Sequence, residues 1–193
     1  MWTDIITYSM KDTDQSYIIA IGGSMGSGKT TLAAELTKRL HAPHHTAHHV
    51  DIDEVAGSYS PPLEGAAAYE HLFAHVHKDF YHEKGTIVIS ATFRDPSTRK
   101  DISTLSTRLD RRFMGIFLHV PIEVAKERAY TRSVADPAHL LRTSDVHAKI
   151  IDWHKTFARH PNDDLYKEPW HTFTEILSTR ELIIRTLQRI NKR

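Results

Sequence analysis

The sequence predicts an α/β domain, a parallel sheet with helices on both faces, and its rhythm carries that expectation. Short apolar runs alternate along the chain with segments whose apolar residues recur at helical spacing. The first run, Ile18, Ile19, Ala20 and Ile21, ends in a glycine-rich turn that opens a helix. No internal repeat, low-complexity block or Pro/Ser-rich linker interrupts the 193 residues, a length that suits one domain or one domain with a small lid.

Each element has its own signal. Leu32, Leu36 and Leu40 form one stripe of the first helix. His48 to Ile52 reads as a second strand, and Leu63, Tyr69, Leu72, Phe73, Val76 and Phe80 follow at helical spacing. Gly85 introduces Thr86 to Ser90, a third buried strand. Asp95-Pro96 reads as an N-cap with proline at the first helical position, and Ile102, Leu105 and Leu109 are the buried stripe behind it. Gly115 to Val120 is a fourth strand, with Pro121 opening the next helix, and His171 to Leu177 is a fifth. Ser178-Thr179-Arg180-Glu181 is a capping box ahead of a last helix carrying Leu182, Leu187 and Ile190. In such sheets ligands gather at the carboxyl ends of the strands.

The turn after the first strand is the most specific signal. Gly23, Ser24, Met25, Gly26, Ser27, Gly28, Lys29 and Thr30 fit G-x-x-x-x-G-K-[ST], the phosphate-binding loop, with Thr31 directly after it. Glycines reach φ > 0 and bring no Cβ, so successive backbone N–H groups can point inward at an anion. The helix that follows offers its N-terminus to the same phosphates. Lys29 would reach the β/γ-phosphate oxygens of a nucleotide as a catalytic cation, and the Thr30 hydroxyl would ligate Mg²⁺. A lysine so placed is expected to face solvent when no ligand is present.

The residues just after the other strands supply the remaining candidates. Asp51 and Asp53 close the second strand, and strand alternation would set both carboxylates on one face. One would hold Mg²⁺ through water while the other accepts a proton from an attacking hydroxyl; a helix N-cap is the plainer use of either. The third strand ends Ser90-Ala91 and the fourth ends His119-Val120, so neither closes on an acid, and no N-K-x-D guanine-reading pattern occurs. Arg94 and Arg99 either meet an anionic or hydroxylated substrate or are solvated helix charges. Arg128 and Arg132, four apart on one helix face, either neutralise charge that develops during transfer or are surface arginines.

Composition narrows the rest. A formal charge of +1 gives no global pull toward nucleic acid or membrane, although it does not by itself exclude a nucleic-acid acceptor. There is no cysteine, hence no disulfide and no thiolate-bound zinc. No apolar run matches a membrane helix and the N-terminus lacks a signal pattern, so a cytoplasmic protein is the expectation, as a monomer or a homodimer in its own right. The fifteen histidines include His44/His48 and His45/His49 at i, i+4 spacing, but Pro43 and the approach to a strand argue against a helical metal site there. His147, His154 and His160 could face the mouth of the site, and Trp153 and Phe157 read as core or lid packing.

Taken together, these residues resemble the P-loop small kinases: gluconate and shikimate kinases, zeta-toxin-like kinases and the polynucleotide kinase domain. The resemblance runs from Tyr17 to about Arg132 and in element order to the end. It implies a three-layer P-loop NTPase fold with strand order 2-3-1-4-5 and a small mobile helical lid at about 132–160. It assigns Asp53 to the acceptor hydroxyl and Asp51 to Mg²⁺. It also places Arg99 at the zeta-toxin-like arginine and makes Arg128 and Arg132 lid arginines bracketing ATP. Where relatives often carry Asp, this chain has Ser90 or Ala91. The activity implied is ATP- and Mg²⁺-dependent phosphoryl transfer to a hydroxyl of a small molecule such as a sugar, sugar acid or nucleoside. A polynucleotide 5′-hydroxyl kinase and a nucleotide-gated module that transfers nothing are the alternatives.

Overall fold

The sheet has five segments, the three central ones apolar and buried on both faces, which a parallel sheet covered by helices provides. In the computed structural model, which describes residues 15–135, 143–159, 163–167, 169–174 and 177–190, these are β1 (Tyr17–Gly23), β2 (Ala47–Asp51), β3 (Thr86–Ser90), β4 (Arg112–Leu118) and β5 (Trp170–Phe173). All pairings are parallel and the order is 2-3-1-4-5, as the resemblance implies. Strand β1 is central, so its carboxyl end lies between those of β3 and β4.

Helices cover both faces. Ile19, Ile21, Val88, Met114 and Ile116 pack against α1 (Lys29–Leu40) and α7 (Thr179–Ile190). Ile18, Ala20, Ile87, Ile89 and Phe117 pack against α2 (Ile52–Gly57), α3 (Gly65–Phe80) and α4 (Pro96–Arg108). On that second face, Trp153 and Phe157 of α6 (Thr143–Phe157) also join the core. Their rings stack 4.9 Å apart at 7°, and Phe157 stacks on Phe117 at 5.2 Å. A small separate cluster, Val120, Ala125, Ala129, Val146 and Ile150, binds α6 to α5 (Ile122–Ala135). The span expected as a lid, about 132–160, covers the end of α5 and α6; its stretch 136–142 and His160 lie outside the described residues. Among the described residues no helix is long and apolar enough to cross a membrane.

Boundaries moved for local reasons. β2 ends at Asp51, whose carboxylate accepts the Asp53 N–H at 2.8 Å and caps α2, so Ile52 starts a helix instead of ending a strand. β4 begins earlier than expected, at Arg112, because buried Arg111 donates to the carbonyls of Gly85, Phe80 and Glu83 and anchors the entry. Ser178 and Glu181 form the expected capping box: Glu181 Oε2 accepts from Ser178 N–H at 2.9 Å, and Ser178 Oγ accepts from Glu181 N–H at 3.3 Å.

One contact ties β4 to β5. A Cβ built on Gly115 would lie 2.2 Å from the Trp170 ring, which is buried and packs against Phe93 and Phe113. Gly115→Ala should therefore destabilise the fold by about 1–3 kcal/mol. Urea denaturation of the two proteins measures it, with the lost midpoint as the readout.

Candidate functional site

Strand β1 runs into the glycine-rich turn with three residues of positive φ, Gly23 at 145°, Gly26 at 77° and Gly28 at 94°. Gly26 also needs the missing Cβ for space, since one would meet the Ala125 carbonyl oxygen at 2.2 Å. Ser24 and Ser27 are buried, and their hydroxyls have no hydrogen-bond partner among the described residues. Two orphaned hydroxyls in a loop of inward-turning backbone are a cradle in need of an anion. The turn is fixed from outside by the Gly23 N–H, which donates to the Thr92 carbonyl at 3.2 Å.

Lys29 opens α1 and is 9% exposed, so the expectation of a solvent-facing lysine is corrected. Burial holds its ammonium below the ordinary lysine range; Asp53 and Asp51 pull the other way, and Arg132 adds to the lowering. One turn face therefore gathers Lys29, both aspartates and Arg132 within electrostatic reach. A cleft of about 310 Å³ opens here, lined by Met25, Gly26, Lys29, Thr30, Arg128 and Arg132 among others. Arg128 Nη1 points to the Ser27 carbonyl at 3.5 Å, above the loop.

The two aspartates differ sharply. Asp51 is 4% exposed, and its Oδ2 accepts from the Thr30 hydroxyl at 3.0 Å and from the Ser90 hydroxyl at 2.6 Å. Asp53 sits on the first turn of α2 and is exposed. No hydrogen bond or ion pair among the described residues holds its carboxylate. The expected shared strand face is thus replaced by a strand end and a helix turn, because Asp51 caps the helix that carries Asp53. Hydroxyl and carboxylate oxygens converging at Thr30 and Asp51 are the hard donors Mg²⁺ takes, with water completing its shell. These residues fit the ion.

The loop after β3 is held in place from three sides. Tyr69 of α3 accepts the Phe93 N–H at 2.8 Å and shares a hydrogen bond with Thr92 Oγ1 at 2.9 Å. Phe93 has φ of 42°, rare for a residue with a bulky side chain. Arg99 is 1% exposed. It donates to the carbonyls of Phe93 and Arg94, and its Nε and Nη2 grip both oxygens of Asp164 at 2.6 and 2.8 Å. Its guanidinium is thus spent on the protein, not displayed to a substrate. Arg94 is half-buried and lies 3.5 Å from Asp95.

Several site features left little trace in the sequence. Ser90, Tyr69 and His49 carry no motif, and His49 emerges only through its ring nitrogen Nε2, 2.9 Å from Ser90 Oγ. A second cleft, about 320 Å³, joins Ser27, Gly28 and Thr31 to Leu118, Phe173 and Leu177; the nearby capping box at Ser178 was its one readable sign. The histidine-rich stretch 41–49 diverges: His45 bonds Thr86 and His48 lies against Glu83.

Comparison with known proteins now decides the family. An AAA domain model matches residues 18–158. The chain belongs to that family. A gluconokinase from Sinorhizobium meliloti is similar in structure over 94% of each chain, with 14% identity and a TM-score of 0.61. A shikimate kinase from Acinetobacter baumannii, in complex with shikimate, is 20% identical and covers 95% of this chain and 98% of its own, with a TM-score of 0.57. Kti12 from Chaetomium thermophilum, in complex with ADP-AlF3, is 16% identical over 90% of this chain and 98% of its own, with a TM-score of 0.64. No curated protein matches the sequence. The fold of this AAA-domain chain is that of the P-loop kinases.

Two histidines near the end of β4 also titrate below their ordinary range. His119, just past β4, and His154 of α6 have rings 6.3 Å apart. Burial lowers both below the ordinary histidine value, and His154 is lowered further by His119 and Lys126. The unfolded chain then binds more protons than the folded one. Their contribution is full above a pH of about 6.5 and is lost as pH falls through the lowered values. Melting temperature should drop from pH 7 to pH 5, and His154→Gln should make that drop shallower, as read by scanning calorimetry at both pH values.

Proposed function

We propose that this protein is an ATP- and Mg²⁺-dependent phosphotransferase that moves the γ-phosphate to a hydroxyl of a small molecule. The observation that carries the reading is the split between the two aspartates. One is buried and bonded to the Thr30 hydroxyl; the other is exposed on the adjacent helix turn, with no hydrogen bond or ion pair to its carboxylate among the described residues. A pure nucleotide switch needs the first and has no use for the second.

In this reading the loop N–H groups and the orphaned Ser24 and Ser27 hydroxyls receive the phosphates. The cleft walled by Leu118, Phe173 and Leu177 takes the base. Thr30 and Asp51 hold Mg²⁺, which when bound screens the charge of the phosphate oxygens. Lys29 places its cation on the transferring group, and burial spares it from competing water. Arg128 and Arg132 stand over the loop from α5 and neutralise charge that grows during transfer. Asp53 accepts the acceptor's hydroxyl proton, and exposure leaves room for that acceptor in front of it. Arg94 lies beside the same strand end and is the remaining candidate for the acceptor; Arg99 secures the loop that carries it. The protein acts as one domain, with α6 and the end of α5 as its lid, in the ATP-rich cytoplasm. The likeness to gluconokinase and shikimate kinase supports a small polar acceptor, and the near-neutral charge weighs against a nucleic-acid strand.

The direct test is ADP release with and without panels of sugars, sugar acids and nucleosides. Turnover that rises with one added alcohol supports transfer, whereas turnover blind to every alcohol marks a switch. Lys29→Ala should abolish turnover in a folded protein.

Two carboxylate variants then separate the roles. Asp53→Asn should lower kcat about 10²–10⁴-fold with ATP affinity near normal. Asp51→Asn should raise the Mg²⁺ concentration required for activity. Rate against Mg²⁺ for both variants checks this, and swapped responses would swap the roles.

For the arginines, Arg128→Ala and Arg132→Ala should reduce kcat more than they raise the KM for ATP, since the charge they meet develops mainly in the transition state. A raised KM with unchanged kcat would make them binding residues only.

A further inference from the structure

Alternation along β2 sets His49 and Asp51 on the same side of the sheet, the side covered by α1. Ser90 is paired in register with Asp51 across β2 and β3, so its hydroxyl lies between the imidazole and the carboxylate. A serine hydroxyl has one proton. The 2.6 Å contact to Asp51 Oδ2 takes it, because a carboxylate can only accept. The second partner of Ser90 Oγ, His49 Nε2 at 2.9 Å, must therefore be the donor. That fixes the ring with its hydrogen on Nε2 and makes a directed chain: His49 to Ser90 to Asp51, with Thr30 converging on the same oxygen.

We propose that His49 is a positioning residue for the Mg²⁺ site, holding the Ser90 hydroxyl so that its proton is committed to Asp51. Without the imidazole, the Ser90 hydroxyl is free to rotate about Cβ–Oγ and release Asp51 Oδ2. The carboxylate then loses one of the two hydroxyl donors that fix its plane. Ser90 closes β3 with a neutral side chain, and the chain from His49 lets it serve the acid at the end of β2. The inference rests on the kinase reading for its metal, while the hydrogen-bond direction stands without it.

The nucleotide-free protein tests the direction. Long-range ¹H–¹⁵N spectra at pH 8, with the His49 signals identified by their loss in His49→Gln, should show the Nε2–H tautomer. Ser90→Ala should relax that bias to the level of a free histidine side chain. A dominant Nδ1–H form in the wild type would overturn the proposal. The metal arm uses Mg²⁺ titrations of ATP turnover. His49→Leu should raise the half-activating Mg²⁺ concentration about tenfold, the scale on which partners of metal ligands act, with kcat at saturating Mg²⁺ nearly unchanged. His49→Gln keeps an N–H donor and should restore most of the loss. The double variant His49→Leu/Ser90→Ala should be no worse than Ser90→Ala, because His49 acts through that hydroxyl. Additive effects, or an unaltered Mg²⁺ requirement in folded His49→Leu, overturn the inference and leave the kinase reading standing. A wild-type protein that binds AMPPNP neither with nor without Mg²⁺ overturns both.

Discussion

A carboxylate taken out of water must have its oxygens satisfied by hydrogen bonds, and much of this architecture follows from meeting that demand at Asp51. Its Oδ1 accepts from the Asp53 N–H and starts α2; its Oδ2 accepts from Thr30 on α1 and Ser90 on β3. Four elements therefore meet at one side chain. The glycine turn, the end of the second strand and helix α2 are set in register by it. Removing the charge would not loosen one contact alone; it would unfasten the cap of α2 and both hydroxyls together.

The loop after β3 shows a second kind of fixing, by backbone carbonyls. Arg99 draws in the carbonyls of Phe93 and Arg94, Tyr69 holds the Phe93 N–H, and the Thr92 carbonyl receives the N–H of Gly23. Helix α3 is thereby connected, through one tyrosine and one peptide, to the start of the phosphate loop. The left-handed backbone at Phe93 persists because these partners over-determine it.

Much of this was legible in the sequence, and the reasons are physical. The three central strands followed from apolar runs that double-sided burial explains, and the glycine turn from a spacing with few other uses. The capping box at Ser178 and the proline start of α4 were readable because their chemistry is local. Boundaries that depend on distant partners were not: β2 stops at Asp51 because its carboxylate caps the next helix, and β4 starts early because Arg111 reaches three carbonyls far away in sequence. The roles of His49, Ser90 and Tyr69 were hidden for the same reason, since strand pairing and helix packing create their neighbours. Arg99 was visible as a charge, but its direction was set by Asp164, 65 residues on.

Lys29 has a further consequence. An ammonium 9% exposed is held at a disadvantage before any anion arrives, with burial outweighing the pull of both aspartates. Directed evolution for heat resistance alone would thus tend to erase this lysine, replacing it with an uncharged chain of similar length. Only a selection that also demanded turnover would keep it. Heat-resistant variants gathered without an activity screen would then drift toward well-folded, inert proteins.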